Sequence, residues 1–357
     1  MKNKNTMGNN EETYIIGEIG QNHNGSVDIA KLIIDMVCKP IVEELFNLPL
    51  KPINAVKLTK RDLKEELSKS QMDMPYDNPN SFGKTYGEHR KFLELSEEQH
   101  YELYCYAKEN YNVDFIETIC AIGAMSILKK FTPDYIKVAS RDLTNLPLLD
   151  ALASTKIPII ISTGMAGQKE LDDALDIITK YHNNISILHC VSQYPTHPKN
   201  VNLRTISYLI KKYPMYTIGY SDHTIGISMP VAAVAMGAKI IEKHVTIDRR
   251  MKGTDHKSSL GPDGVNRMIR DIRLLEMSMG VEDIFVVEDV RATRDKLERS
   301  IATKRKIKQG ETITLNDIHL LSPGDGFKWS EKELVIGKTA KIDIDEDEII
   351  YPSMLNS

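Results

Sequence analysis

The chain has 357 residues, 41% of them hydrophobic, and its 46 Lys and Arg against 50 Asp and Glu leave a net charge of −4. That length exceeds one small domain and suits a barrel of about 250 residues with an appended module. Acids and bases are mixed along the chain, so the basic stripe of a nucleic-acid binder is absent, while a few local cations still suffice for a small anionic substrate.

The four cysteines, Cys38, Cys105, Cys120 and Cys190, are scattered and form no C-x-x-C pair. They read as reduced cytosolic thiols rather than a disulfide framework. The opening MKNKNTMGNNEETY carries no apolar signal region. No run approaches the roughly 18 apolar residues of a membrane span. The expectation is a soluble, cytoplasmic protein with no membrane partner.

Residues 1–12 are polar and expected to be flexible. From 13 to 280, short β-branched runs alternate with amphipathic segments. The runs are Tyr14-Ile-Ile-Gly-Glu18, Asn54-Ala-Val-Lys57, Val113-Asp-Phe-Ile-Glu117, Tyr135-Ile-Lys137, Ile157-Pro-Ile-Ile-Ile-Ser162, Ile185-Ser-Ile-Leu-His-Cys190, Tyr216-Thr-Ile-Gly219 and Lys239-Ile-Ile-Glu-Lys-His244. Helical patterns such as Leu171 to Tyr181 and Leu203 to Tyr213 follow most of them. Strands separated by helices imply parallel βαβ units, and eight units predict an α/β fold closed as a (β/α)8 TIM barrel. Residues 60–95 read as a long polar loop after the second strand, of a length that is usually functional. Residues 281–299 read as a linker, and 300–357 as a small β-rich domain with turns at Gln309-Gly310 and Pro323-Gly-Asp-Gly326. Such a domain is near the size at which it is only marginally stable alone.

Active sites of such barrels lie at the C-terminal strand ends. There the sequence places Glu18, Lys57, Lys137 with Ser140, Ser162, His189-Cys190 with Ser192 and Tyr194, Ser221-Asp-His-Thr224, and Lys243-His244. Lys57 and Lys137 with Ser140, Ser162 and Ser221 suit a cradle for phosphate and carboxylate. A surface-snorkelling lysine is the plainer alternative. His223 and His244 follow adjacent strands, beside Asp222 and Asp255, and suit a Lewis-acid metal with open positions for water and substrate. His23, His189 and His256 stay open as ligands or substrate contacts. Glu18 suits a general acid/base or a sugar-hydroxyl contact, or else a salt bridge to a rim lysine.

In these segments the chain resembles the sialic acid (N-acetylneuraminate) synthase family from about residue 14 to 352. The likeness is carried by Glu18-Ile-Gly-Gln-Asn-His-Asn-Gly25, Val56-Lys57, Lys137-Val-Ala-Ser140, Ile161-Ser-Thr-Gly-Met165, Leu188-His-Cys190 with Tyr194-Pro-Thr196, Gly219-Tyr-Ser-Asp-His-Thr224 and Ile241-Glu-Lys-His-Val-Thr246. The C-terminal part resembles the family's antifreeze-like SAF domain, through Ile307-Lys-Gln-Gly-Glu311 and Pro323-Gly-Asp-Gly326.

The resemblance implies a condensation of phosphoenolpyruvate with N-acetylmannosamine or a related hexose. His223 and His244 would hold a divalent metal, typically Mn²⁺, with Mg²⁺ or Co²⁺ as alternatives. Lys57, Lys137, Ser140, Ser162, Ser192 and Ser221 would hold phosphoenolpyruvate. Glu18, Asp142, Tyr194 and Asp255 would contact the open-chain sugar. It also implies a homodimer in which each SAF domain caps the partner's barrel. Five positions depart from the family's usual pattern: Thr59 for glutamine, Arg141-Asp142 for Gly-Glu, Ser192 for asparagine, and Ser322 for the arginine before Pro-Gly. They make the sugar the open question, with legionaminic, pseudaminic, non-acetylated or phosphorylated chemistry as alternatives. A Schiff-base aldolase built on Lys137 and a non-catalytic sugar-binding protein are the readings from other classes.

Overall fold

The computed structural model describes residues 12–356. The expectation of a flexible start falls, except for Glu12, outside the described residues. Two compact units divide the chain, residues 1–280 and 281–357.

In the first unit, eight strands close into a parallel barrel. They are β1 (Tyr14–Gly20), β2 (Ala55–Lys60), β3 (Asp114–Ile119), β4 (Tyr135–Val138), β5 (Ile159–Ser162), β6 (Ile185–Cys190), β7 (Thr217–Asp222) and β8 (Ile240–His244). Each pairs with its sequence neighbour, and β8 closes onto β1 through Tyr14 opposite Ile240 to Glu18 opposite His244. The predicted (β/α)8 barrel is therefore what forms. Helices such as Val27–Cys38, Glu97–Tyr111 and Pro262–Ser278 lie in the connections. Between β3 and β4 a 3-10 segment, Gly123–Lys129, stands in place of a full helix.

Several strands run further than sequence polarity suggests. β2 reaches Lys60, β3 Ile119 and β7 Asp222. In a closed barrel the inward positions at one end face a site rather than a core, so polar residues there do not end the ladder. β1 continues to Gly20 across a register shift after Glu18. Gly20 takes φ +54°, and a Cβ there would lie 3.0 Å from a Glu18 carboxylate oxygen, so a side chain would be both strained and crowded.

The 60–95 segment is not the irregular loop expected. It carries three short helices, Leu63–Glu66, Lys69–Met72 and Tyr86–Leu93. Asp62, Ser68 and Thr85 cap them, and Thr85 and Glu88 form a capping box. The polar residues read as loop composition are therefore helix caps.

The second unit opens with the helix Arg291–Leu297. β9 (Ser300–Thr303) then pairs antiparallel with β10 (Ile318–Leu321). Isolated bridges such as Ile307 to Ile344 and Thr312 to Thr339 knit the rest around a core of Ile301, Ile307, Ile313, Ile318, Val335, Ala340, Ile344 and Ile350. No helix among the described residues is long and apolar enough to cross a membrane.

The barrel interior has its own apolar layer, separate from the larger core between strands and helices. Ile16, Ala55, Ile116, Ile160, Leu188 and Ile240 form it, one from each of six strands. This layer is the floor on which the site stands. Truncating Ile160, fully buried within it, to alanine is expected to lower unfolding stability by about 2–5 kcal/mol. A urea titration checks this, and a loss well under 1 kcal/mol would show that the layer is loosely packed.

Candidate active site

Successive side chains on a strand point to opposite faces, so residues two apart share one. Two residues beyond the apolar floor, every strand presents a group for chemistry or binding. Ile16 is followed by Glu18, Ala55 by Lys57, Ile116 by Thr118, Tyr135 by Lys137, Ile160 by Ser162, Leu188 by Cys190, Gly219 by Ser221 and Ile240 by Glu242. All eight line one cavity of about 260 Å³. The next inward positions, Gly20, Thr59, Cys120, Ala139, Ser192, His223 and His244, line its upper wall.

At the centre is an ionic cluster. Lys57 Nζ lies 2.6 Å from a Glu18 carboxylate oxygen and 3.7 Å from Glu242. It also donates to Thr118 Oγ1 at 3.1 Å. Lys137 Nζ is 3.9 Å from the other Glu242 oxygen and donates to the Val138 carbonyl at 3.2 Å. Ser221 Oγ donates to Glu242 at 2.8 Å. Lys57, Lys137, Glu18 and Glu242 are each no more than 5% exposed, so each charge must be balanced locally.

The two carboxyls separate in acidity. Burial lifts Glu18 to about 7 against the opposing pull of Lys57. Burial works the same way on Glu242, but Lys137 and Lys57 together hold it down at about 2. Lys137 is lowered, chiefly by burial. For Lys57, burial is outweighed by Glu18 and Glu242, and it is raised. Near neutrality the cluster thus holds two ammoniums, one full carboxylate and one carboxyl sharing a proton. The surplus is positive and can accept an anion. Hydroxyls surround it: Ser162 Oγ is buried with no hydrogen-bond partner among the described residues, and Ser140 Oγ accepts from the Gly164 amide at 3.0 Å.

At the next level above the cluster stand His223 and His244, their ring centroids 5.5 Å apart. Tyr194 lies over His223 at 4.1 Å and edge-on to His244 at 5.9 Å. His223 Nδ1 faces the Val191 carbonyl at 3.0 Å. As a donor there, Nδ1 leaves Nε2 as the free lone pair. Burial pushes His244 down to about 4, so it is neutral, and its Nδ1 is buried without a partner. Burial pulls His223 down, but Cys190 and the Val191 carbonyl outweigh it and His223 is raised. Once His223 gives up its proton, the two imidazoles fit a divalent cation that completes its shell with water and substrate oxygens. Among the described residues no three His, Cys, Asp or Glu side chains gather so as to hold a metal by themselves.

Of the sequence-predicted residues, Glu18, Lys57, Lys137, Ser140, Ser162, Ser192, Tyr194, Ser221, His223, His244 and Asp255 all line this cavity. Asp142 does not. It lies in an adjoining pocket, 3.4 Å from Arg141 Nε, because the 3-10 turn Ser140–Asp142 gives the cavity to Arg141 instead. His189 is tied to the Val201 carbonyl at 2.6 Å, and His256 to Thr246 Oγ1 at 2.8 Å. Neither they nor His23 line the cavity.

Glu242 is the central residue the sequence reading passed over. The period-two signal could have found it, since it shares a face with His244 while Lys243 turns away to pair with Asp222 at 2.5 Å. Arg61 and Arg90 were also missed, because residues 60–95 read as a loop.

With the geometry in place, comparison with known proteins defines the class. Residues 51–283 match the NeuB family and residues 298–356 the SAF domain, and the chain belongs to the NeuB family. It is 33% identical over 98% of its length, and 95% of the relative's, to the N-acetylneuraminate-9-phosphate synthase of Homo sapiens. It is 32% identical over 94% of its length, and 93% of the relative's, to the N,N'-diacetyllegionaminic acid synthase of Legionella pneumophila. Among solved structures, the N-acetylneuraminic acid synthetase of Leptospira borgpetersenii superposes with TM-score 0.67 at 29% identity, covering 82% of this chain and 93% of that one.

Gly164 packs closely behind three groups of the cavity wall. A Cβ there would lie 2.4 Å from Ser192 Oγ and 2.8 Å from both Cys190 Sγ and Ser140 Oγ. Gly164→Ala is expected to cut turnover at least roughly tenfold by displacing those hydroxyls, with the thermal midpoint little changed. Wild-type kinetics in that variant would show that the cradle tolerates rearrangement.

Proposed function

We propose that the chain is a nonulosonic acid synthase, a transferase that condenses phosphoenolpyruvate with the open-chain aldehyde of N-acetylmannosamine or a related hexose and releases phosphate. The observation that carries this reading is the pairing, in one cavity, of a buried two-lysine, multi-serine cradle with two imidazoles at the level above it. A cradle with surplus positive charge suits a donor bearing both phosphate and carboxylate. The imidazoles suit the aldehyde.

In this reading Lys57, Lys137, Ser140, Ser162, Ser192 and Ser221 hold phosphoenolpyruvate, and Tyr194, Asp255 and Glu18 hold the sugar. C3 of phosphoenolpyruvate attacks the aldehyde carbon, and C2 becomes cationic. Water adds at C2, and the C2–O bond to phosphate breaks, leaving a ketone. Glu18, sharing its proton near neutrality, is suited to take the proton of that water. A divalent cation, Mn²⁺ by preference, held by His223 and His244, would polarise the aldehyde and stabilise the alkoxide formed from it. The relatives' names differ chiefly in the sugar acid made, so the acceptor is where members of this family diverge.

The same reading includes a homodimer in which the SAF domain of one chain serves the barrel of the other. Supporting it, Val281, Ile284, Phe285, Val286, Val287, Val290 and Leu297 are exposed, Ile284 completely. An apolar run of that kind on a single chain is an expected protein contact. The cysteines Cys38, Cys105, Cys120 and Cys190 are all unpaired, which suits a cytoplasmic location.

Phosphate release from phosphoenolpyruvate, dependent on an added aldose, is the direct test. His244→Ala is expected to lower it at least roughly 100-fold, and chelation to abolish it reversibly. One observation favours a second mechanism: Lys137 is a buried lysine with a lowered pKa, as Schiff-base lysines are. Full activity after chelation, with a borohydride-trapped adduct on Lys137, would replace the metal mechanism by that one. Light scattering is expected to give twice the chain mass of 40.4 kDa; a monomer that turns over at full rate would remove the domain-capping reading.

A further inference from the structure

Asp222 and Lys243 take no part in the cavity wall, yet each stands one residue before an imidazole. Asp222 ends β7 and precedes His223, and Lys243 precedes His244 on β8. The two lie directly opposite each other in the β7–β8 ladder, and theirs is its last pair. Past it the ladder no longer sets the distance between His223 and His244. His244 is still paired with Glu18 of β1, but its Nδ1 has no hydrogen-bond partner among the described residues.

A side-chain clamp takes over where the ladder stops. Lys243 Nζ lies 2.5 Å from Asp222 Oδ2 and also donates to the Thr224 carbonyl. Asp222 Oδ1 accepts from the Tyr220 hydroxyl at 2.8 Å and from the Thr224 amide at 2.9 Å. Oδ2 accepts in addition from Thr224 Oγ1 at 3.1 Å. A carboxylate has about four acceptor positions, and four donors meet this one, so its orientation is fixed. Both side chains of the pair are fully buried. The clamp grips the chain on both sides of His223, at 222 and 224, and ties it to the residue before His244. Apolar side chains of like size in place of a buried ion pair are often neutral or favourable for stability, so stability is a weak reason for two charges here. Fixing metal ligands from behind is a stronger one.

We propose that Asp222 and Lys243 are a positioning pair for the divalent cation, setting the separation of the His223 and His244 rings from behind. The pair touches neither substrate nor ion and acts only through the two histidines. Tyr220 and Thr224 serve the same end, because they hold the Asp222 carboxylate to which Lys243 is tied. The inference deepens, and rests on, the proposed metal role of the two imidazoles.

The test is calorimetric binding of Mn²⁺ to the full chain without substrates, alongside binding of phosphoenolpyruvate without metal. The wild type is expected to bind Mn²⁺ and His244→Ala to lose it. Asp222→Asn combined with Lys243→Met cuts the cross-strand tie, leaves no unpaired charge and keeps an acceptor for Tyr220 and the Thr224 amide. It is expected to melt cooperatively near the wild type yet bind Mn²⁺ at least roughly tenfold more weakly, with phosphoenolpyruvate binding little changed. Unchanged Mn²⁺ affinity would reduce the pair to a structural one and overturn the inference. Equal weakening of phosphoenolpyruvate would show a general loosening of the barrel mouth and overturn it too. Should that variant not fold, Tyr220→Phe with Thr224→Val decides: it keeps both charges and removes two of the bonds that orient Asp222. Its Mn²⁺ affinity is expected to fall roughly threefold or more, and an unchanged value overturns the inference. If the wild type binds no Mn²⁺, the metal role falls and this inference with it. If it binds Mn²⁺ but no acceptor drives phosphate release, the condensation falls, and the variants' Mn²⁺ affinities still decide the role of the pair.

Discussion

Two lysine ammoniums stand inside this barrel because a carboxylate stands between them. Glu242 lies within 4 Å of both Lys57 and Lys137 and is held ionised by them. Without it, two like charges would face each other above a floor of isoleucine, leucine and alanine, where little solvent screens them. The remaining carboxyl, Glu18, then meets a site where Glu242 already offsets part of the lysines' charge. Burial lifts it toward neutrality instead of leaving it a plain salt-bridge partner. One interaction thus sets the sign of the cradle and leaves one group able to move a proton.

The apolar layer and the charged layer depend on each other. The floor excludes water from below and fixes the strand positions, which sharpens every electrostatic interaction two residues above it. At the next level the chain becomes small: Gly20, Ala139, Gly164 and Ser192 leave room where larger side chains would fill the mouth. The imidazoles enter at that level, on the last two strands, with Tyr194 against them. In the proposed reading the donor-side and acceptor-side groups stand at different heights of one cylinder, and a reaction joining two molecules needs that separation.

Much of the site was legible in the order of residues. Alternation along β8 places Glu242 and His244 on one face, and the same rule applied to the other strands selects Glu18, Lys57, Lys137, Ser162 and Ser221. The failures have physical causes. Asp142 follows a serine that does line the site, but a 3-10 turn rotates it behind Arg141, and no periodicity announces a turn's rotation. Arg61 and Arg90 sit in a stretch whose caps, Asp62, Ser68 and Thr85, resemble loop composition until the short helices they start are seen.

The sequence by itself determined which side chains face inward, because a strand's alternation is local and depends on no other part of the chain. It determined the βαβ rhythm, and with it the barrel and the end of the barrel where chemistry gathers. Only the tertiary structure decided who meets whom. Closure brings β1 beside β8 and β2, so that Lys57 reaches both Glu18 and Glu242 from strands far apart in the chain. Acidity followed from that meeting: the two glutamates are equally buried and chemically identical, and they differ because one lies between two ammoniums and the other faces chiefly one.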